Sequence, residues 1–132
     1  MLIEDMLERI ARIERFVVGI DCDAFLRDEK TADSVVRNLE VIGEAASRLP
    51  HAFRQQHATV PWRQIIGLRH RIVHDYFDVD LDLVWTIVRS ELPALVAQLQ
   101  ALEHPDERLH SSSSPSTAPR SSSSSSRRPV MR

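Results

Sequence analysis

Residues 31–49 read TADSVVRNLEVIGEAASRL, and the apolar positions Val35, Val36, Leu39, Ile42, Gly43, Ala46 and Leu49 recur at helical spacing. Thr31 or Asp33 offers a side-chain oxygen to cap the start, and Pro50 stops the pattern because proline brings no amide to the ladder. A helix with such a stripe must bury it against others, and the flanking sequence supplies them. Upstream, Leu2, Ile3, Met6, Ile10, Ile13, Phe16 and Val17 predict a helix from about Leu2 to Ile20, followed by a connector or short helix over 21–30. Downstream, a short helical turn is expected over His51 to His57. A third long helix opens at Pro61-Trp62 and continues through Ile65, Ile66, Leu68, Ile72 and Val73 to about Phe77. Asp78-Val79-Asp80 reads as a turn, with Asp80 capping a last helix that carries Leu81, Val84, Ile87, Val88, Leu95, Val96, Leu99 and Leu102. Pro93 lies inside that helix and predicts a kink or break. The pattern is an all-α, up-down bundle of four or five helices with short links.

The bulk properties agree. The 132 residues make a one-domain length, 42% are hydrophobic, and glycine is scarce at three. Cys22, the single cysteine, has no partner for an internal disulfide, so it is expected as a small core hydrophobe in a reducing cytoplasm. Glu4, Asp5, Glu8 and Glu14 interrupt the N-terminal apolar positions, which rules against a signal peptide; no apolar run reaches the roughly 18 residues of a spanning helix. Residues 1–103 hold 12 Lys/Arg against 17 Asp/Glu, a net of −5, whereas residues 104–132 hold 5 against 2, a net of +3. An acidic body excludes a general nucleic-acid coat, which needs a broad cationic footprint. The segment 104–132 has eleven serines and four prolines with almost nothing apolar to bury, so it is expected as a disordered tail behind a helical domain of residues 1–103.

Within the acidic body, residues 61–74 are basic: Arg63, Arg69 and Arg71 with His70 and His74, and no acid. On a regular helix His70 and His74 share a face, as do Arg71 and His74, while Arg69 and His74 are about 140° apart. Convergence of that last pair needs an irregular helix, a bent arginine or a second subunit. These residue types suffice for RNA cleavage without a metal: an imidazole takes the ribose 2′-OH proton, and guanidinium groups stabilise charge on the phosphate. The same types also fit a solvated basic face. His70 and His74 have the spacing of a helical zinc pair, but no Cys pair or His-Glu-x-x-His pattern completes one, so no metal and no other cofactor is expected. Asp75, Asp78, Asp80 and Asp82 have the makings of a cation site, but acids at the start of the last helix stabilise its N-terminus without a ligand, so they read as dipole and cap acids. Glu40 and Glu44 read as ion-pair partners of Arg37 or Arg48, with positioning of an active-site arginine as the functional alternative. Trp62 and Trp85 read as core or interface anchors.

The ordered set of motifs resembles the HEPN superfamily, specifically its HepT-like toxin branch. Arg37-Asn38-Leu39-Glu40-Val41-Ile42-Gly43-Glu44-Ala45 is similar to the family's second-helix signature, and Pro61 to Arg69 to the lead-in of its active site. Arg69-x4-His74-x-Tyr76 matches the family's Arg-x4-His-x-Tyr motif, and Val79-Asp80, Val84-Trp85 and Leu92-Pro93 its last helix. The resemblance, over about residues 1–102, implies an all-α homodimer with the motif copies facing each other, and endoribonuclease activity on RNA with Arg69 and His74 as catalytic residues. It further implies a toxin role and a nucleotidyltransferase antitoxin of the MntA type that attaches AMP to Tyr76. His70, Arg71 and Glu44 are the expected supporting residues. Where many members carry Asn after the motif arginine, this chain has His70, which puts a second imidazole beside the first. The competing reading is a catalytically silent helical partner of such a transferase.

Overall fold

The computed structural model describes residues 2–75 and 78–103. In chain order they form α1 (Leu2–Val17), α2 (Cys22–Arg27), α3 (Glu29–Ser47), α4 (His51–Gln56), α5 (Trp62–Ile66) and α6 (Leu68–Ile72). The antiparallel strands β1 (Val73–Asp75) and β2 (Asp78–Val79) follow, then α7 (Leu81–Thr86), a π-helical turn (Ile87–Glu91) and α8 (Leu92–Glu103). The architecture is all-α, as its periodicity predicts, with one two-stranded ribbon. The expected tail, 104–132, lies outside the described residues.

Packing centres on α1 against α3. Met6, Ile10 and Ile13 of α1 and Val35, Leu39, Ile42 and Ala46 of α3 are fully buried. Each larger side chain stabilises by about 1.5–3 kcal/mol, so this pair is the main source of burial energy. The stripe on α1 is narrower than predicted, since Phe16 is 43% exposed. Moreover, α1 ends at Val17 instead of Ile20, because Gly19 takes φ +78, a left-handed conformation that glycine adopts without steric cost. Asn38 is a buried polar residue of the core; its amide donates to the Ser34 carbonyl at 2.8 Å, and its Oδ1 accepts from Arg9 at 3.2 Å.

Helix α3 starts earlier than Thr31 or Asp33 because Asp28 caps it. The Asp28 carboxylate accepts from the Thr31 amide at 3.1 Å and from the Thr31 hydroxyl at 2.7 Å. Cys22, expected in the core, is half-buried at the start of α2; partial desolvation and the nearby carboxylates of Asp82, Asp23 and Asp21 push its thiol pKa up. Phe25 of α2 is fully buried and stacks at 5.1 Å on Trp85 of α7.

The third predicted helix departs most from expectation. It bends at Gly67 and stops at Ile72, well short of Phe77. Val73 is extended (φ −106, ψ 109), and the Ile72 carbonyl accepts the Asp80 amide at 2.7 Å instead of a helical partner. The β-branched pair Ile72-Val73 weakens the helix here, and pairing of Val73 with Val79 takes over. Pro93 does not break the last helix. It lacks the amide that the Arg89 carbonyl would otherwise accept, and the preceding turn widens to a π-turn in which the Leu92 amide reaches Ile87. Among the described residues no helix is long and apolar enough to cross a membrane.

The α3–α5 crossing is set by Gly43. A Cβ at this position would lie 2.9 Å from the Ile65 carbonyl oxygen, which is backbone and yields only by moving α5. Gly43→Ala is therefore expected to lower stability by about 1–3 kcal/mol, although alanine is the better helix former. Chemical denaturation reads this; an unchanged or higher midpoint would contradict the close crossing.

Candidate active site

The basic run 69–74 is distributed over three settings. Arg69, on the first turn of α6, is 69% exposed, and its Nη1 donates to Glu40 Oε2 on α3 at 3.1 Å. Glu40 is largely sheltered and holds one terminal nitrogen of the guanidinium, while the arginine side chain as a whole stays open to solvent. Arg37, Glu44 and His70 line the same groove, of about 390 Å³. Glu44, expected as a supporting residue, pairs with Arg48 at 3.4 Å one turn along α3, so the acid that meets Arg69 is Glu40.

His74 is on β1, not on a helix. The ribbon pairs Val73 with Val79 and Asp75 with Asp78, so two steps on β1 oppose one on β2 and His74 is the extra residue of a β-bulge. A bulge leaves its residue unpaired in the ladder and redirects the side chain. The imidazole is 52% exposed, and its Nε2 lies 3.6 Å from Asp80 Oδ2. Asp80 Oδ1 meanwhile accepts the Leu83 amide at 3.0 Å, so one carboxylate caps α7 and faces His74.

Arg71 turns the other way. Its guanidinium makes a bidentate pair with Glu91 at 2.9 and 2.8 Å, tying α6 to the π-turn. The Glu91 hydrogen bond raises the Arg71 pKa, and Arg71 holds the Glu91 carboxyl below its ordinary value of 4.5. Arg71, expected as a supporting site residue, is placed by this pair as a tie between α6 and the π-turn.

The structure corrects the helical-wheel geometry of this segment. With the helix ended at Ile72, the 140° separation of Arg69 and His74 no longer applies, and neither do the shared faces of His70 with His74 and of Arg71 with His74. The angular reason for invoking a second subunit falls with it. Among the described residues no group of three or more His, Cys, Asp or Glu is arranged to hold a metal ion. Tyr76, the expected AMP acceptor, lies outside the described residues. The sequence pattern favours a capping role for Asp80, not a place beside His74, and does not mark Glu91, whose partner is 20 positions away, beyond any local spacing rule.

The ribonuclease HepT-like family profile matches residues 6–102, and this chain belongs to that family of HEPN-type ribonucleases. The chain is 38% identical over 100 residues to a probable ribonuclease HepT of Thermococcus cleftensis, covering 76% of this chain and 91% of that protein. It is 35% identical over 100 residues to a putative RNase of Caldanaerobacter subterraneus subsp. tengcongensis, covering 76% and 89%. A putative RNase of Methanocaldococcus jannaschii is 36% identical over 98 residues, covering 74% and 81%. No solved structure matches the chain.

The Arg71–Glu91 tie has a pH signature. A carboxylate whose folded pKa is depressed stabilises the fold above its unfolded value, here near 4.5, and loses that contribution as pH falls through the folded value. Glu91→Gln is expected to cost about 1 kcal/mol at neutral pH, an allowance discounted for partial exposure. The gap to the parent protein should close as pH drops below about 4.5. Thermal melts across that range decide it; a pH-independent gap would remove the ion pair from the account.

Proposed function

We propose that this chain is a metal-independent endoribonuclease acting as the toxin of a toxin–antitoxin pair, with Arg69 and His74 as its catalytic residues. The observation that carries the reading is that both motif side chains are open to solvent on either side of the end of α6. An exposed arginine and an exposed histidine flank it, and each has a carboxylate from another element against it. A buried structural pair would be closed to a substrate, whereas these two groups are open to one.

In the proposed reaction the His74 imidazole takes the proton of a ribose 2′-OH. The freed oxygen attacks the adjacent phosphorus, the bond from phosphorus to the 5′-oxygen breaks, that leaving oxygen takes a proton from solvent water, and the imidazolium returns its proton to solvent. The products are a 2′,3′-cyclic phosphate and a 5′-hydroxyl. Arg69 donates to the phosphate oxygens, where charge accumulates in the pentacoordinate state. Asp80 and Glu40 act as positioning residues for His74 and Arg69. Active protein is a homodimer, residues 1–103 form the catalytic domain, and 104–132 form the tail.

Silencing is proposed to occur by AMP transfer to Tyr76 from an MntA-type nucleotidyltransferase. Tyr76 is two residues beyond His74, so the added phosphate would place negative charge and bulk where the substrate phosphate binds.

His74→Ala and Arg69→Ala are each expected to lower RNA cleavage by about 10²–10⁴-fold with the fold intact. Cleavage unchanged in both variants would refute the catalytic assignment. Co-expression with a cognate nucleotidyltransferase should add AMP to the parent protein, by intact mass, and leave Tyr76→Phe unmodified but active.

A further inference from the structure

The basic character of this protein extends well upstream of the candidate active site. From residue 45 to residue 74 the chain holds five arginines and four histidines and no acid, while the remainder of residues 1–103 holds 7 Lys/Arg against 17 Asp/Glu. Three of the five arginines are engaged by carboxylates: Arg48 by Glu44, Arg69 by Glu40 and Arg71 by Glu91. Arg54 on α4 and Arg63 on α5 have no carboxylate partner among the described residues, and Arg54 Nε is a buried donor that meets no acceptor there. Both arginines line a groove of about 770 Å³ between α4 and α5, together with His51 and His70 and with no acid. His70 and Ile66 also line the groove that holds Arg69, so the two are contiguous.

We propose that the α4–α5 groove binds the phosphodiester backbone of the RNA on one side of the scissile bond, with Arg54 and Arg63 as its phosphate contacts. This rests on the ribonuclease reading and extends it to the path of the strand. Unpaired guanidinium groups without neighbouring acids suit phosphate oxygens, which accept two parallel N–H bonds. The indole that lines the groove is turned inward. Trp62 is buried, with its Nε1 donating to the His57 carbonyl at 3.0 Å, and Phe53 packs on His57 at 4.5 Å. Phosphate contacts of this kind position a strand without reading its sequence. His70, where the two grooves meet, bridges backbone contact and chemistry.

The test uses the full chain and a 2′-O-methylated single-stranded oligoribonucleotide, which lacks the attacking hydroxyl, alongside the matching dinucleotide. Affinity is read by fluorescence anisotropy at about 50 to 200 mM salt. Arg54→Gln and Arg63→Gln are expected to weaken oligonucleotide binding by about 3–10-fold and to lower the slope of log affinity against log salt by about 0.7 each. Dinucleotide binding should be unchanged, as should oligonucleotide binding by Arg27→Gln on α2. Arg63→Glu, at an exposed position, tests the groove even where Arg54→Gln perturbs folding, and should weaken binding further. The proposal is overturned if Arg63→Glu binds the oligonucleotide with parental affinity and slope. It is equally overturned if dinucleotide binding falls in parallel, or if sedimentation shows that the substitution splits an assembly of copies. A parent protein that binds through these arginines yet cleaves no unmodified RNA supports the groove and overturns the catalytic reading instead.

Discussion

The hydrogen bond from the Asp80 amide to the Ile72 carbonyl, at 2.7 Å, is the point on which the candidate site turns. That carbonyl would otherwise continue the α6 ladder, and a helix carried on through Val73 would place His74 on a face remote from Arg69. With the carbonyl satisfied by Asp80, the chain becomes extended, Val73 pairs with Val79, and the bulge at His74 redirects the imidazole. Asp80 also starts the next helix through its carboxylate and presents that carboxylate to His74. One residue therefore ends one element, opens another and faces the proposed base.

The rest of the core holds this junction in place. Helix α5 reaches α6 only after crossing α3 where Gly43 admits the Ile65 carbonyl, and the same helix α3 presents Glu40 to Arg69. On the far side, Arg71 is anchored to Glu91 within a turn widened next to Pro93. Adjacent basic residues are thereby sent to different carboxylates. Arg69 stays open to solvent, Arg71 becomes a tie between helices, and His70 faces two grooves. The electrostatic consequence is a local cationic surface on an acidic body, which suits a polyanion engaged at one place.

Much of the fold was legible because helical burial is periodic. The stripes Met6-Ile10-Ile13 and Val35-Leu39-Ile42 follow from spacing alone, as do the cap at Asp80 and the disturbance at Pro93. Element ends were less legible. Thr31 looked like a cap, but Asp28 claims its amide and its hydroxyl. The helix through Ile72 looked continuous because Leu68, Ile72 and Val73 keep its period, and nothing local announces that Asp80 will take the Ile72 carbonyl.

By itself, then, the sequence determined the helical class, the main core stripes and the basic motif segment, since each depends on residue type and short-range spacing. Only the tertiary structure decided where the motif helix stops and which carboxylate meets which cation. Glu40 and Arg69 are 29 positions apart, and Arg71 and Glu91 are 20 apart. Pairings at such distances arise from how helices pack, a property of the whole core that no local period encodes.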